Sequence, residues 1–289
     1  MVVNPVPALP FLRGKPLDVR DFMRPEGINE AGLSAGLFFF PKYGSYVGYD
    51  PSMNDSTLAD LQVVQWILTQ FSTIDEVQKG LGNVRVVGLE RSAVVHWRIG
   101  EPSGKQVVLE IVDGVPHFYE NTVGVLTNSP GFEWHLKNLN NYANLFPGDA
   151  PDQHIGKQHV KPFGGNSGFL GLPGDFTPPS RFVRAAFFRA TAPQQPTAFE
   201  TVKQCFHILN NFDIPIGVEH KPGEGPKIPS ATQWTSAIDL SSRTIYYKTA
   251  YNNSIRCIDL KSIDFATVKY QSHPLDTTQS QPINMIDIK

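Results

Sequence analysis

Cysteine is scarce in this 289-residue chain, which contains only Cys205 and Cys257. Two thiols make no disulfide framework, and their separation fits no metal-binding pair. Cys205 lies in ETVKQCFHILNNF, where helical spacing makes a small buried hydrophobe the expected role; both cysteines are read as structural. Also missing is any apolar run approaching the roughly 20 residues that span a bilayer, so no membrane partner is expected. Charge of one sign is lacking too. Against 27 Asp+Glu stand 25 Lys+Arg, a formal net charge of −2, which offers no basic field for nucleic acid. The opening MVVNPVPALPFLRGKPLDVRDF is broken by prolines and lacks the apolar core of a signal peptide, so no targeting segment is read. Localisation stays unknown: cytoplasmic by default, periplasmic if the true N-terminus lies elsewhere.

With 40% hydrophobic and 18% charged residues, the composition is that of a soluble globular protein able to bury a substantial core. Residues 1–25 have no clear period and read as an irregular lead-in. GLSAGLFFFP (32–41) is expected to be a buried strand closed by proline. LADLQVVQWILTQF (58–71) has helical spacing, and STIDEVQKGLGN predicts a second helix capped by Ser72 with Asp75. Strands are expected over 92–100, 104–114, 115–121 and 122–130, an antiparallel meander, followed by a helix over 133–145. A Gly/Pro/His-rich loop is expected over 147–180, then helices near 180–190 and 197–211. A second meander covers 232–260, with turn candidates at Ser241-Ser242 and Asn252-Asn253. This order implies an α+β fold with mainly antiparallel sheets.

Few motifs carry chemistry by themselves. GGNSGFLGLPGD (164–175) resembles a phosphate loop, yet it lacks the GKS/GKT ending and misses the G-x-S-x-G spacing, so a loop of positive-φ glycines is preferred. His154 and His159, with Asp149 and Asp152 nearby, have the residue types for a divalent metal, although solvated loop histidines are the expected reading. His96, beside Trp97, is expected to be packed or hydrogen-bonded within a sheet. GVLTNSPGF (124–132) places an Asn at a strand end, where its amide donors suit an oxyanion, although composition alone favours a plain turn. FFFPKYGSY (38–46) is either core or the aromatic wall of an apolar site. Arg181 and Arg184 follow Pro178 and Pro179 at the start of a helix. Positive charge there costs roughly 0.3–1 kcal/mol each unless an anion offsets it. Ser180 is the expected N-cap, and Asp175 is one candidate partner for Arg181.

PEGINEAGLSAGLFFFP, AVVHWRIGEPSGKQVVLE, VGVLTNSPGFEWHLKNLNNY, GLPGDFTPPSRFVRAAF and FHILNNF resemble, in order and spacing, blocks of the choloylglycine hydrolase family. The resemblance runs from about residue 25 to the C-terminus and implies a single domain over 26–289. Its implied fold is a four-layer αββα sandwich, the N-terminal-nucleophile hydrolase fold, here with an incomplete N-terminal edge. Its implied activity is hydrolysis of linear amides by a first-residue Cys whose own α-amino group acts as base, with no metal or cofactor. By that resemblance Asn128 donates to the oxyanion, Phe39 supplies a backbone N–H, and Arg181 supports the nucleophile. Phe38, Phe39, Tyr43 and Phe132 become the expected substrate-binding walls.

The family's opening Cys block has no counterpart in these residues. Neither Cys205 nor Cys257 occupies its position, and the expectation is that the polypeptide as written does not hydrolyse. Conjugated bile salts are the favoured substrate, with penicillin V the alternative. A nucleophile-free holder of bile acids or acyl amides is the rival from another class. A homotetramer is implied by the family alone.

Overall fold

The protein is described from a computed structural model over residues 25–89, 94–220, 223, 225 and 231–288. The lead-in expected over 1–25 lies outside these residues except for Pro25, as does the N-terminal edge expected to be incomplete. Contacts gather into two compact units, one within Met1–Ala192 and one within Pro193–Lys289.

The first unit contains strands β1 (Glu26–Ile28), β2 (Ser34–Phe39), β3 (Thr57–Ala59), β4 (Arg85–Val87), β5 (Val95–Gly100), β6 (Gln106–Val112), β7 (Val115–Glu120), β8 (Gln153–Ile155) and β9 (Gln158–Val160). Its helices are α1 (Val63–Gln70), α2 (Ile74–Leu81), α3 (Phe132–Asn138) and α4 (Pro178–Thr191). An antiparallel sheet runs β1-β2-β5-β6-β7. Alternation along its strands sends Ala35, Trp97, Ile99 and Leu109 to one face, where they pack with Val63, Val64 and Ile67 of α1 and Ile74, Val77 and Leu81 of α2. The opposite face carries His96, Val108, Glu110 and Tyr119. Val108 and Tyr119 there pack in a second cluster with Val125, Phe132, Phe182 and Ala186.

Several expected elements change. Thr73 caps α2, accepting from the Glu76 N–H while Glu76 Oε2 accepts from the Thr73 and Ser72 N–H groups; the reciprocal box is therefore one residue later than Ser72 with Asp75. TVGVLTNSP (122–130) is irregular backbone and not a strand. Gly124 turns it at φ 62°, and the Asn121 side chain bonds both the N–H and the C=O of Val125, taking the place of a ladder partner. The helix expected over 133–145 ends as α3 at Asn138 and continues as one 3-10 turn, Leu139–Tyr142. Within the expected loop 147–180, β8 and β9 form a small hairpin, and β3 pairs parallel with β4.

In the second unit, α5 (Ala198–Leu209) precedes an antiparallel sheet of β10 (Trp234–Asp239), β11 (Thr244–Thr249) and β12 (Arg256–Asp259). Asp239 closes the β10–β11 turn by accepting from the N–H groups of Ser241 and Ser242. Phe199 of α5 lies against Tyr246 of β11, with ring centroids 5.9 Å apart. Among the described residues no helix is long and apolar enough to cross a membrane.

Candidate active site

The site begins with the register of β2. Phe40 N–H bonds Val94 O at 2.7 Å, toward β5, while Leu37 N–H bonds Pro25 O at 2.8 Å, toward β1. Odd-numbered residues of β2 therefore direct their backbone groups toward β1. Phe39 shares that parity, so its N–H and C=O turn away from β5 onto the flank just past Pro25. On that flank Asn128 Nδ2 donates to Phe39 O at 2.9 Å, and Ser129 Oγ donates to Pro41 O at 2.8 Å. These two bonds dock the 127–130 segment alongside the end of β2.

Helix α4 supplies the second half. Thr177 occupies its N-cap position and Pro178 its first helical position, so Ser180 lies inside the first turn and is not the cap. Asp175 accepts from Ser180 Oγ, Thr177 Oγ1 and the Thr177 N–H. Those bonds, Ser180's first, hold its carboxyl well down, at about 2. Its negative charge thus stands where the helix dipole favours an anion. Arg184 donates to the carbonyls of Pro173 and Asp175, both at 2.7 Å. Arg181 donates from Nε to Phe176 O at 2.9 Å and from Nη2 to Asn128 Oδ1 at 2.7 Å. A chain of bonds results: Arg181 to the carboxamide oxygen, and the carboxamide nitrogen to Phe39.

Behind Asn128 lies a buried polar layer. His96 on β5 and His135 on α3 are fully buried, and Glu110 on β6 is 2% exposed. His96 Nε2 meets Thr127 O at 3.0 Å, and His135 Nε2 meets Asn128 O at 2.9 Å. Glu110 Oε1 lies 3.1 Å from His96 Nδ1 and accepts the Phe132 N–H at 2.8 Å, filling an otherwise open donor in the first turn of α3. Phe40 stacks on His96 at 4.4 Å and Phe182 on His135 at 4.6 Å. Burial pushes His135 below the ordinary histidine value. His96 is thus hydrogen-bonded within the sheet layer, as its strand position led us to expect. Glu110 and His135 were not anticipated, although a signal exists. Glu110 falls on the Val108 face by alternation, and His135 falls between Phe132 and Leu136 on the apolar stripe of its helix.

Of the expected walls, Phe39 and Tyr43 are about half exposed and Phe38 is half-buried against His96. Phe132 is a correction: it has no exposed surface and packs on Tyr119 and Phe182, because it begins α3 on the core side. His154 and His159 stack across the β8–β9 hairpin, and His159 Nε2 is 3.0 Å from Asp152. Among the described residues no group of three or more His, Cys, Asp or Glu is arranged to hold a metal ion. In the 164–175 loop, Gly164, Asn166 and Gly171 have positive φ, in line with a turn-forming role. Burial raises the Cys205 thiol above its usual value, and Cys257 is exposed.

The Asn128 carboxamide is thus held between Arg181 and the carbonyl of Phe39, on an α+β frame of antiparallel sheets. The family of linear amide C–N hydrolases, choloylglycine hydrolase family, matches residues 20–279, and the chain belongs to it. Among its relatives, a bile salt hydrolase/transferase of Clostridium perfringens is 35% identical over 240 residues, which cover 81% of this chain and 72% of that protein. A penicillin V acylase of Pectobacterium atrosepticum is 29% identical over 277 residues, covering 89% of this chain and 67% of that protein. A mutant conjugated bile acid hydrolase from Clostridium perfringens shares the fold at a TM-score of 0.80 and 32% identity, over 92% of this chain and 80% of that one. The fold is accordingly the α+β fold, with antiparallel sheets, of the N-terminal-nucleophile hydrolases.

Proposed function

We propose that the site of this chain is built for conjugated bile salts, small linear amides with a flat amphipathic acyl part, and that Asn128, Arg181 and Phe39 form its oxyanion half. The observation that carries this is the fixed carboxamide of Asn128. One N–H of Nδ2 is committed to Phe39 O, and Arg181 draws on Oδ1 and so strengthens the remaining N–H as a donor. That second hydrogen and the Phe39 backbone N–H are the pair we assign to the developing oxyanion. Phe38, Phe39 and Tyr43 form the apolar wall; Phe132 is not among them. Bile salts are preferred over penicillin V because the closer sequence relatives act on the former.

Both cysteines fall within Pro193–Lys289. The described hydrogen-bond partners of the Asn128 side chain and carbonyl, Phe39, Arg181 and His135, carry no thiol, and binding is the sharper test. Titration calorimetry is expected to show saturable binding of glycocholate and taurocholate, weaker binding of penicillin V, and loss on Asn128→Ala. No saturable heat with any of the three would refute the assignment. Release of glycine from glycocholate above a protein-free blank would reveal a nucleophile that we do not assign. On the family's footing we further propose that residues 26–289 work as one domain, since the match from 20 to 279 spans Ala192 and Pro193, and that the protein forms a tetramer, to be read by light scattering.

A further inference from the structure

We propose that His96 and His135 are positioning residues that fix the carboxamide of Asn128 by donating to the two successive carbonyls of Thr127 and Asn128. This deepens the proposed function and rests on Asn128 being the oxyanion donor. A main-chain carbonyl only accepts, so each Nε2 facing one carries a hydrogen. For His135, Nδ1 is then the bare nitrogen; it is buried without a hydrogen-bond partner. For His96, Nδ1 faces Glu110 Oε1, an oxygen already accepting the Phe132 N–H, so one hydrogen lies between Nδ1 and Oε1.

The two rings come from different elements, one from β5 and one from α3, and both are locked face-on by an aromatic partner. Together they hold the peptide on either side of the Asn128 Cα, while Arg181 and Phe39 hold its side chain. With main chain and side chain both pinned, the second N–H of the carboxamide keeps one direction, the pre-organisation that an oxyanion donor needs. Neither histidine touches the reacting atoms, and each acts through Asn128.

The test uses the full chain labelled with ¹⁵N. Long-range ¹H–¹⁵N correlation reports which ring nitrogen carries hydrogen, and Nε2–H is expected for both rings. The side-chain NH₂ signal of Asn128, identified by its loss in Asn128→Ser, is the second readout, and glycocholate affinity is the third. His135→Phe keeps a ring against Phe182 and removes the donor. It should shift or broaden the Asn128 signal and weaken glycocholate binding on the order of tenfold. His135→Gln, whose Nε2–H can reach the same carbonyl, should restore most of both. His96→Phe and His96→Gln form the parallel pair. An Nδ1–H tautomer of His135 would overturn the proposal, as would an Asn128 signal unmoved by both Phe variants. The tautomer is read on the parent protein, so a variant that does not fold leaves the proposal testable. If the parent binds no glycocholate, the proposed function fails while the NH₂ signal still decides the positioning role.

Discussion

One face of the five-stranded sheet offers Ala35, Trp97, Ile99 and Leu109 to α1 and α2, whereas the other offers His96, Val108, Glu110 and Tyr119 to the layer holding α3 and α4. Both are buried, and they are stabilised differently. The first is held by apolar area and dispersion, which are non-directional and tolerate swaps that conserve volume. The second adds to its apolar cluster directed bonds among His96, Glu110, Thr127, Phe132, His135 and Asn128, whose partners are individually necessary because a half-satisfied buried network costs more than an apolar core. The candidate site grows from the edge of the second face. Stability and site geometry therefore reside largely on opposite sides of one sheet, and substitutions should separate them.

Trp97→Ala, on the apolar side, should have the largest effect. Emptying that volume is expected to cost about 3–5 kcal/mol and lower Tm by roughly 6–20 °C in thermal unfolding followed by circular dichroism. The folded fraction should keep its affinity for glycocholate. Arg181→Ala is the converse: Tm should move little, while binding measured by calorimetry weakens by about 1.5–3 kcal/mol, roughly 10- to 150-fold. Arg181→Lys should restore little of it, since an ammonium does not reproduce the forked contact with Phe176 O and Asn128 Oδ1. If Arg181→Ala unfolds the protein instead, the division between the two faces is wrong.

Ser180→Ala should cost about 1 kcal/mol of stability by removing a donor to Asp175. Asp175 is held at about 2, so its contribution is present above the ordinary carboxylate range and is lost as pH falls through that value. The variant should therefore lose stability at higher pH on acid titration than the parent. The smallest effect concerns His135. Burial depresses its pKa, so the unfolded chain binds the proton more readily. Stability is then full above the ordinary histidine value and declines as pH falls below it. Tm measured from about pH 8 to about pH 5 should show this decline, and His135→Gln should flatten it.

The apolar face was legible in the sequence because a two-residue period and a helical period each mark a buried stripe, as in β5, β6 and α1. The site was half legible. Asn128 and Arg181 were singled out through blocks of family resemblance, but the bond between them joins positions 53 residues apart, which no local period encodes. The Asn128 segment was read as a strand because VGVL looks β-prone; the Asn121 side chain and Gly124 override that propensity. Phe132 was placed on a pocket wall together with the family resemblance, whereas the start of α3 turns its ring inward. His135 and Glu110 were missed because a polar residue on an apolar stripe reads as noise until its partner is known.

The parity of β2 has a further consequence at position 39. The atoms of Phe39 that engage Asn128 belong to the main chain, and its ring projects half exposed. On the proposed assignment, selectivity and chemistry belong to separable parts of one residue. The side chain at 39 is free to drift with the shape of the acyl group being recognised while the hydrogen-bond geometry beneath it stays the same. Changing the substrate range of such a site requires a new surface and no new catalytic apparatus.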